Sequence, residues 1–278
     1  MCVITVSKGA FSGGVSLAKT VAQRLEYRCV GCDVIVERAA SHGVRQQELW
    51  AALERPPGVL DRFGSRRERF THRRYVLLAL LAEALAEEVC EGRVVYHGLA
   101  GHVLLDGLPG LLRTRVVAPM EARILAAQER LKITRNEAIA RINKADSRRK
   151  AWTRFLSNAN WGQASLFDLV LNLEHISRDE ACGLIVAMTR QRRLHFTEIH
   201  RQAIQDVVLA RRIRARLALD PQTSAANVGV AACQGRVVIN CKAPAAADFR
   251  RIQDLALALP GVLEVSLRST ALPESAAS

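Results

Sequence analysis

Short β-branched runs alternate with four-residue apolar spacings along the first two-thirds of the chain. Val3-Ile4-Thr5-Val6 is such a run. After it Leu17, Val21 and Leu25 recur every four residues, with Ala18 and Ala22 beside them, which predicts one apolar helix face. A second strand is expected near Arg28 to Val30. Residues 44–75 read as helices broken at Pro56-Pro57-Gly58 and Gly64, and 75–89 as a further helix. Arg93 to Tyr96 reads as a strand ending at Gly98, and Arg113 to Ala118 as another, stopped by Pro119. Met120 to Arg149 is expected to be largely helical, and Asp168 to Asn172 a strand. Its following helix begins at Ser177, where Glu180 three residues on completes a capping box. Strand and helix thus alternate over residues 1–190, which implies a parallel sheet flanked by helices on both faces.

The order changes near residue 205. From there the pattern is a helix to about Leu217, strands at Asn227–Ala232 and Arg236–Cys241, a helix at Ala246–Ala258 and a strand at Val262–Arg268. Gln234-Gly235 between the first two strands reads as a two-residue hairpin turn. This is a separate small α+β module. The tail from Ala271 is rich in Ser, Ala and Pro and is expected to be loose.

The turn after the first strand carries the first chemical signal. Lys8-Gly9-Ala10-Phe11-Ser12-Gly13-Gly14-Val15-Ser16 follows the spacing of a phosphate-binding loop, G-x-x-x-x-G-K-[ST], at Gly9, Gly14 and Ser16. Val15 stands where the lysine belongs. A helix starting at Ser16 would aim its first N–H groups and positive dipole end at the glycines. The loop also lies at the carboxyl end of a strand, where open α/β sheets bind ligands.

Composition narrows the classes that remain. Of 278 residues 49% are hydrophobic, enough for a buried core, and the formal charge of +13 points to anionic partners. The longest apolar run, Val76 to Ala86, is interrupted by Glu83 and is too short to span a membrane. The loop begins so near the amino end that no secretory signal is expected, and the expected location is cytoplasmic. Seven cysteines, with Cys29-Val30-Gly31-Cys32 the lone C-x-x-C, fit reduced thiols. Thr189 to Arg216 carries eight arginines against Glu198 and Asp206, but Phe196 is its lone aromatic, so the case for nucleic acid is thin.

Several pieces together resemble the cytidylate kinase-like branch of the nucleoside-monophosphate kinases. They are Ser12-Gly13-Gly14, Val95 to His102, Arg115-Val116-Val117-Ala118-Pro119, Asp146-Ser147-Arg148-Arg149 followed by Trp152, and Ser165 to Asn172. The C-terminal module resembles a BON domain through Gly229-Val230, Gly235 to Ile239 and Leu259 to Val265. The expected fold is a P-loop NTPase-type parallel sheet flanked by helices, plus a small BON-like α+β domain. Expected boundaries are 1–192 for the kinase-like domain, 193–204 for a basic linker, 205–270 for the BON-like domain and 271–278 for the tail.

The resemblance implies phosphoryl transfer from ATP, with Mg²⁺, to a nucleoside monophosphate such as CMP. That reaction needs two nucleotides in line and positive groups around the transferring phosphoryl. Gly9, Ser12, Gly13, Gly14 and Ser16 would cradle the donor phosphates, with the Ser16 hydroxyl on the metal side. Asp146, Arg148 and Arg149 occupy the place of the family's lid, whose arginines close over the phosphates. Arg69, from the cluster Arg66, Arg67, Arg69, Arg73 and Arg74, would bind the acceptor phosphate. Asp33, His97 and Gly98 would approach the acceptor nucleoside. BON modules imply a protein partner or an anionic membrane surface.

Val15 leaves the alternatives open. A hydrogen bond to a charged group is worth roughly 1.5–3 kcal/mol, and valine cannot supply it. Lys8 precedes the loop and Lys19 lies one turn beyond Ser16 on its side of the helix, so Lys19 is the better placed of two imperfect substitutes, with the lid arginines a further source of charge. An active nucleotide kinase, a nucleotide-binding pseudokinase acting through the BON-like module and a surface-binding protein on a kinase scaffold all remain.

Overall fold

In the computed structural model, which describes residues 2–55, 67–191, 194, 197–223, 228–241 and 246–269, the opening apolar run forms strand β1, Val3–Lys8. Next come α1 (Gly14–Leu25), β2 (Arg28–Val30), α2 (Cys32–Ala40), α3 (Gln46–Glu54) and α4 (Arg67–Val89). Then follow β3 (Val94–Tyr96), α5 (Gly101–Leu104), β4 (Leu111–Val117), α6 (Met120–Leu131), α7 (Arg135–Ser157), β5 (Leu169–Asn172) and α8 (Arg178–Thr189). The C-terminal part supplies α9 (Glu198–Leu219), β6 (Gly229–Cys233), β7 (Arg236–Cys241), α10 (Ala246–Leu257) and β8 (Glu264–Ser269). These elements fall into two compact units, Met1–Asp61 with Glu91–Thr197, and Arg62–Cys90 with Glu198–Ser278.

The first unit is a five-stranded sheet in the order β2-β3-β1-β4-β5, parallel throughout. Its centre, β1, is flanked on both sides, so the chain leaving β1 emerges where the strand order reverses. Ile4 and Val6 point to one face and pack with Leu17, Ala18 and Val21 of α1, Leu112 and Val116 of β4, and Ala181, Cys182 and Ile185 of α8. The alternation of apolar residues on β1 therefore sets α1 against the sheet, which fixes the loop joining them.

The stretch expected as one helix from Met120 to Arg149 is two helices. Lys132 takes a left-handed conformation (φ 53°) that ends α6. Thr134 then opens α7 with a capping box: its hydroxyl accepts from the Glu137 amide, and its own amide donates to Glu137 Oε2 at 2.8 Å. The antiparallel pair packs around Ile124, Ala127, Ala138 and Ile142.

In the second unit β6 and β7 form the antiparallel hairpin, with Gln234 (φ 50°) and Gly235 (φ 79°) in its turn. β7 pairs in parallel with β8. Val237, Ile239 and Cys241 pack against Leu209, Ile213 and Leu217 of α9 and Ile252, Leu255 and Ala256 of α10. Helix α4 groups with this compact unit. Its residues Val76 to Ala86 are buried, Glu83 included.

Candidate functional site

The loop between β1 and α1 turns twice through left-handed backbone, at Phe11 (φ 59°) and Gly13 (φ 80°). Such alternation makes successive N–H groups converge into an anion-binding concavity. Gly13 caps α1, whose first amides at Gly14, Val15 and Ser16 have no carbonyl one turn behind them within the helix. The Ser12 hydroxyl turns inward and donates to the Gly9 carbonyl at 3.0 Å, so it shapes the loop. Ser16 is exposed on the first turn of α1.

Phe11 is non-glycine in a left-handed conformation, and packing explains it. Its ring sits on the Ile124–Ala127–Ala138–Ile142 cluster of the α6–α7 pair. Two charged side chains from the same pair hold the neighbouring peptide. Arg123 Nε donates to the Ala10 carbonyl at 2.8 Å, and the Ala10 amide donates to Asp146 Oδ1 at 3.0 Å. Arg123 Nη2 closes the ring on Asp146 Oδ2 at 2.5 Å. A Cβ on Gly9 would lie 3.0 Å from Arg123 Cζ, so glycine is what lets the guanidinium lie against the loop.

Arg149 lies one turn beyond Asp146 on the same face of α7, with Nη1 donating to the Ala145 carbonyl at 3.1 Å and 3.7 Å from Asp146 Oδ1. Burial lowers its pKa, with Asp146 opposing. Arg148 Nε is buried without a hydrogen-bond partner among the described residues. Lys8 completes the cationic wall: its stem crosses Gly14, and Nζ donates to the His97 carbonyl. Burial and then Arg149 pull its pKa down to about 8, against smaller opposing effects of Cys32 and Cys29.

A helix N-terminus entered through left-handed turns, with Lys8, Arg123 and Arg149 close to the loop, offers N–H groups and positive charge suited to an anion. Residues 3–175 match the model of the cytidylate kinase-like family. The chain belongs to that family. Residues 205–268 match the BON domain. An uncharacterised protein from Eubacterium ventriosum ATCC 27560 shares the fold at 17% identity and a TM-score of 0.52, over 69% of this chain and all 100% of that one. TT1252 from Thermus thermophilus (19% identity, TM-score 0.39, 68% of this chain and 96% of that one) is more distant in shape. So is a shikimate kinase from Bacteroides thetaiotaomicron (10%, 0.41, 68% and 99%). No curated protein matches the chain significantly.

On the β2–β3 side of this cytidylate kinase-like unit, Asp33 stands exposed in the first turn of α2. A Cβ on Gly31 would meet Asp33 Oδ1 at 2.3 Å and His97 Cε1 at 3.1 Å, so the three residues share one small space. The His97 pKa is lowered by burial and then by Lys8, with Asp33 opposing. Gly98 is required by its neighbour: a Cβ there would fall 2.2 Å from the Tyr96 hydroxyl. That hydroxyl donates to the Leu99 carbonyl at 3.2 Å. The Arg69 side chain lies outside the described residues, and its backbone belongs to α4 of the second unit. Arg66 is likewise outside them.

Sequence reasoning did not single out Arg123 or Trp161, and it quoted Arg115, His102 and Phe167 only within the pieces that carry the resemblance. Arg115 lies 4.3 Å from the Trp161 ring centre and 5.4 Å from that of Phe167, and it donates to the Trp161 carbonyl. Trp161 Nε1 donates to the Ser7 hydroxyl at 2.9 Å. His102 packs on Phe167 at 4.9 Å and is held neutral, its pKa down to about 4 through burial and then Arg115. One signal did mark Arg123. It sits at the start of α6, four residues after Pro119, where a cation opposes the helix dipole and so asks for a partner beyond the helix.

Proposed function

We propose that the chain is a nucleoside-monophosphate kinase that moves a phosphoryl group from ATP to a CMP-like acceptor. The observation that carries this reading is the loop 9–16, an N–H cradle ringed by Lys8, Arg123 and Arg149. Such a site offers what phosphoryl transfer asks of a protein, fixed position and positive charge. The Gly13 to Ser16 amides would hold donor phosphates, and Arg149 would turn from the Ala145 carbonyl onto the transferring group. Asp146 acts one step back, pinning the Ala10 amide and orienting Arg123. The donor set suits Mg²⁺: one hydroxyl, Ser16, with phosphate oxygens as the remaining ligands, whose charge the ion would neutralise. Asp33 and His97 line the acceptor side. The BON domain would meet a protein partner or an anionic membrane surface, and we expect the kinase to work in the cytoplasm.

A second reading, a nucleotide-binding pseudokinase, has Val15 in its favour, because valine offers the phosphates no cation. Purified full-length chain with ATP, Mg²⁺ and each nucleoside monophosphate separates the two. The kinase reading expects ADP release that depends on one acceptor and drops at least tenfold in Ser16→Ala and Arg149→Ala. Tight ATP binding without turnover for any acceptor supports the pseudokinase, and no ATP binding rejects both.

A further inference from the structure

We propose that Lys8 is the cation this chain sets against the donor's terminal phosphates, in place of the lysine missing at Val15. The proposal rests on the reading that loop 9–16 takes a nucleoside triphosphate. Lys8 is the last residue of β1, and its side chain does not leave for solvent. It doubles back over the start of α1, so that a Cβ on Gly14 would stand 2.7 Å from Lys8 Cβ and 3.0 Å from Cδ. Gly14 is the residue immediately before the position where phosphate-binding loops carry their lysine. A lysine stem from the strand therefore passes the same helix N-terminus that a lysine at position 15 would occupy from the helix. The glycine is what leaves the strand route clear.

The surroundings of the ammonium fit an anion. Nζ has three donors, and the His97 carbonyl takes one. Arg149 on α7 is a like charge that, after burial itself, works against the charged form of Lys8. A partly buried ammonium that feels an arginine's like charge is costly alone, and a bound polyanion offsets that cost. A purely structural role, tying the ends of β1 and β3 through His97, needs one hydrogen bond and no second cation nearby.

The test measures MgATP and AMP affinity of the full chain by calorimetry at pH 7 for wild type, Lys8→Met, Lys8→Arg and Lys8→Met/Val15→Lys. The expected pattern is a 10–100-fold loss of ATP affinity in Lys8→Met, little change for AMP, and recovery in Lys8→Arg and in the double variant. Equal ATP affinity in wild type and Lys8→Met overturns the proposal while leaving the loop's nucleotide role intact. Absence of ATP binding in wild type overturns both. Should Lys8→Met not fold, amine acylation of the wild type followed by mass spectrometry decides. MgATP should slow labelling of Lys8 at least tenfold, with adenosine having little effect and exposed Lys19 as reference. Labelling unchanged by saturating MgATP overturns the assignment.

Discussion

Titration at Lys8 gives the residue scale its first prediction. Its pKa stands at about 8, lowered by burial and then by Arg149, whereas an unfolded lysine titrates near ~10.4. Between those values the unfolded chain holds more protons, so without ligand this residue makes stability rise with pH. A bound triphosphate reverses the local balance and draws a proton back. Calorimetry at pH 8.5 in two buffers of different ionisation enthalpy should show proton uptake on MgATP binding, absent in Lys8→Arg. Gly14→Ala tests the same contact from the other side. Gly14 is helical, so alanine suits the backbone, and the added Cβ collides with the Lys8 stem. ATP affinity should fall tenfold or more, and since the nearest atom is Lys8 Cβ rather than a flexible tip, the melting temperature should fall as well. His102 titrates with the ordinary histidine near 6.5 in the unfolded chain and about 4 in the fold. Its contribution is present above pH 6.5 and lost as pH falls, about 3 kcal/mol by pH 4. Denaturant unfolding from pH 7 to 4 should show this slope, flattened in His102→Phe.

Among the elements, the α6–α7 pair carries the loop: Phe11 rests on its apolar seam, and Arg123 and Asp146 hold the Ala10 peptide. Asp146→Ala leaves Arg123 half buried without its carboxylate, and a loss of about 3 kcal/mol is expected. ATP affinity should drop in Asp146→Ala even at temperatures where the fold is intact. An unchanged affinity would separate the loop's shape from this clamp. Thr134→Ala, which removes the cap of α7, should cost only about 1 kcal/mol and leave binding alone. The strands and α1 were legible because apolar alternation and the Gly9–Ser16 spacing are local signals. The break at Lys132 was missed because lysine is itself a good helix former, although Thr134 with Glu137 three residues on was there to read as a capping box. Asp146 was legible as a candidate beside the loop but not as a clamp. That role depends on Arg123, which is brought to it by tertiary packing across 23 positions. Propensity holds no record of such a pairing.

For the whole molecule, the division into units follows contacts that no local pattern announces. An apolar run at 76–86 between two pieces of a parallel sheet reads as one more crossover helix, yet α4 goes with α9 in the BON-containing unit. There Arg212 Nη2 donates to Glu87 Oε1 at 2.7 Å. Glu83 has its pKa raised to about 7 by burial and then by Glu87, with Arg212 opposing. A raised carboxyl contributes stability below its unfolded value, near ~4.3, and loses it as pH rises through 7. Glu83→Gln should therefore raise the melting temperature at pH 8 and change it less at pH 5; equal shifts at both would refute the assignment.

The discontinuous second unit also sets a timetable. Val89 ends α4 and Glu198 starts α9, so the 108 residues from 90 to 197 must be synthesised between partners. At ribosomal rates of ~5–20 residues per second that interval is roughly 5–20 s. Throughout it an apolar helix has emerged with no mate. A nascent chain of this kind invites chaperone capture at residues 76–86, and slowing translation after residue 90 should lengthen that exposure.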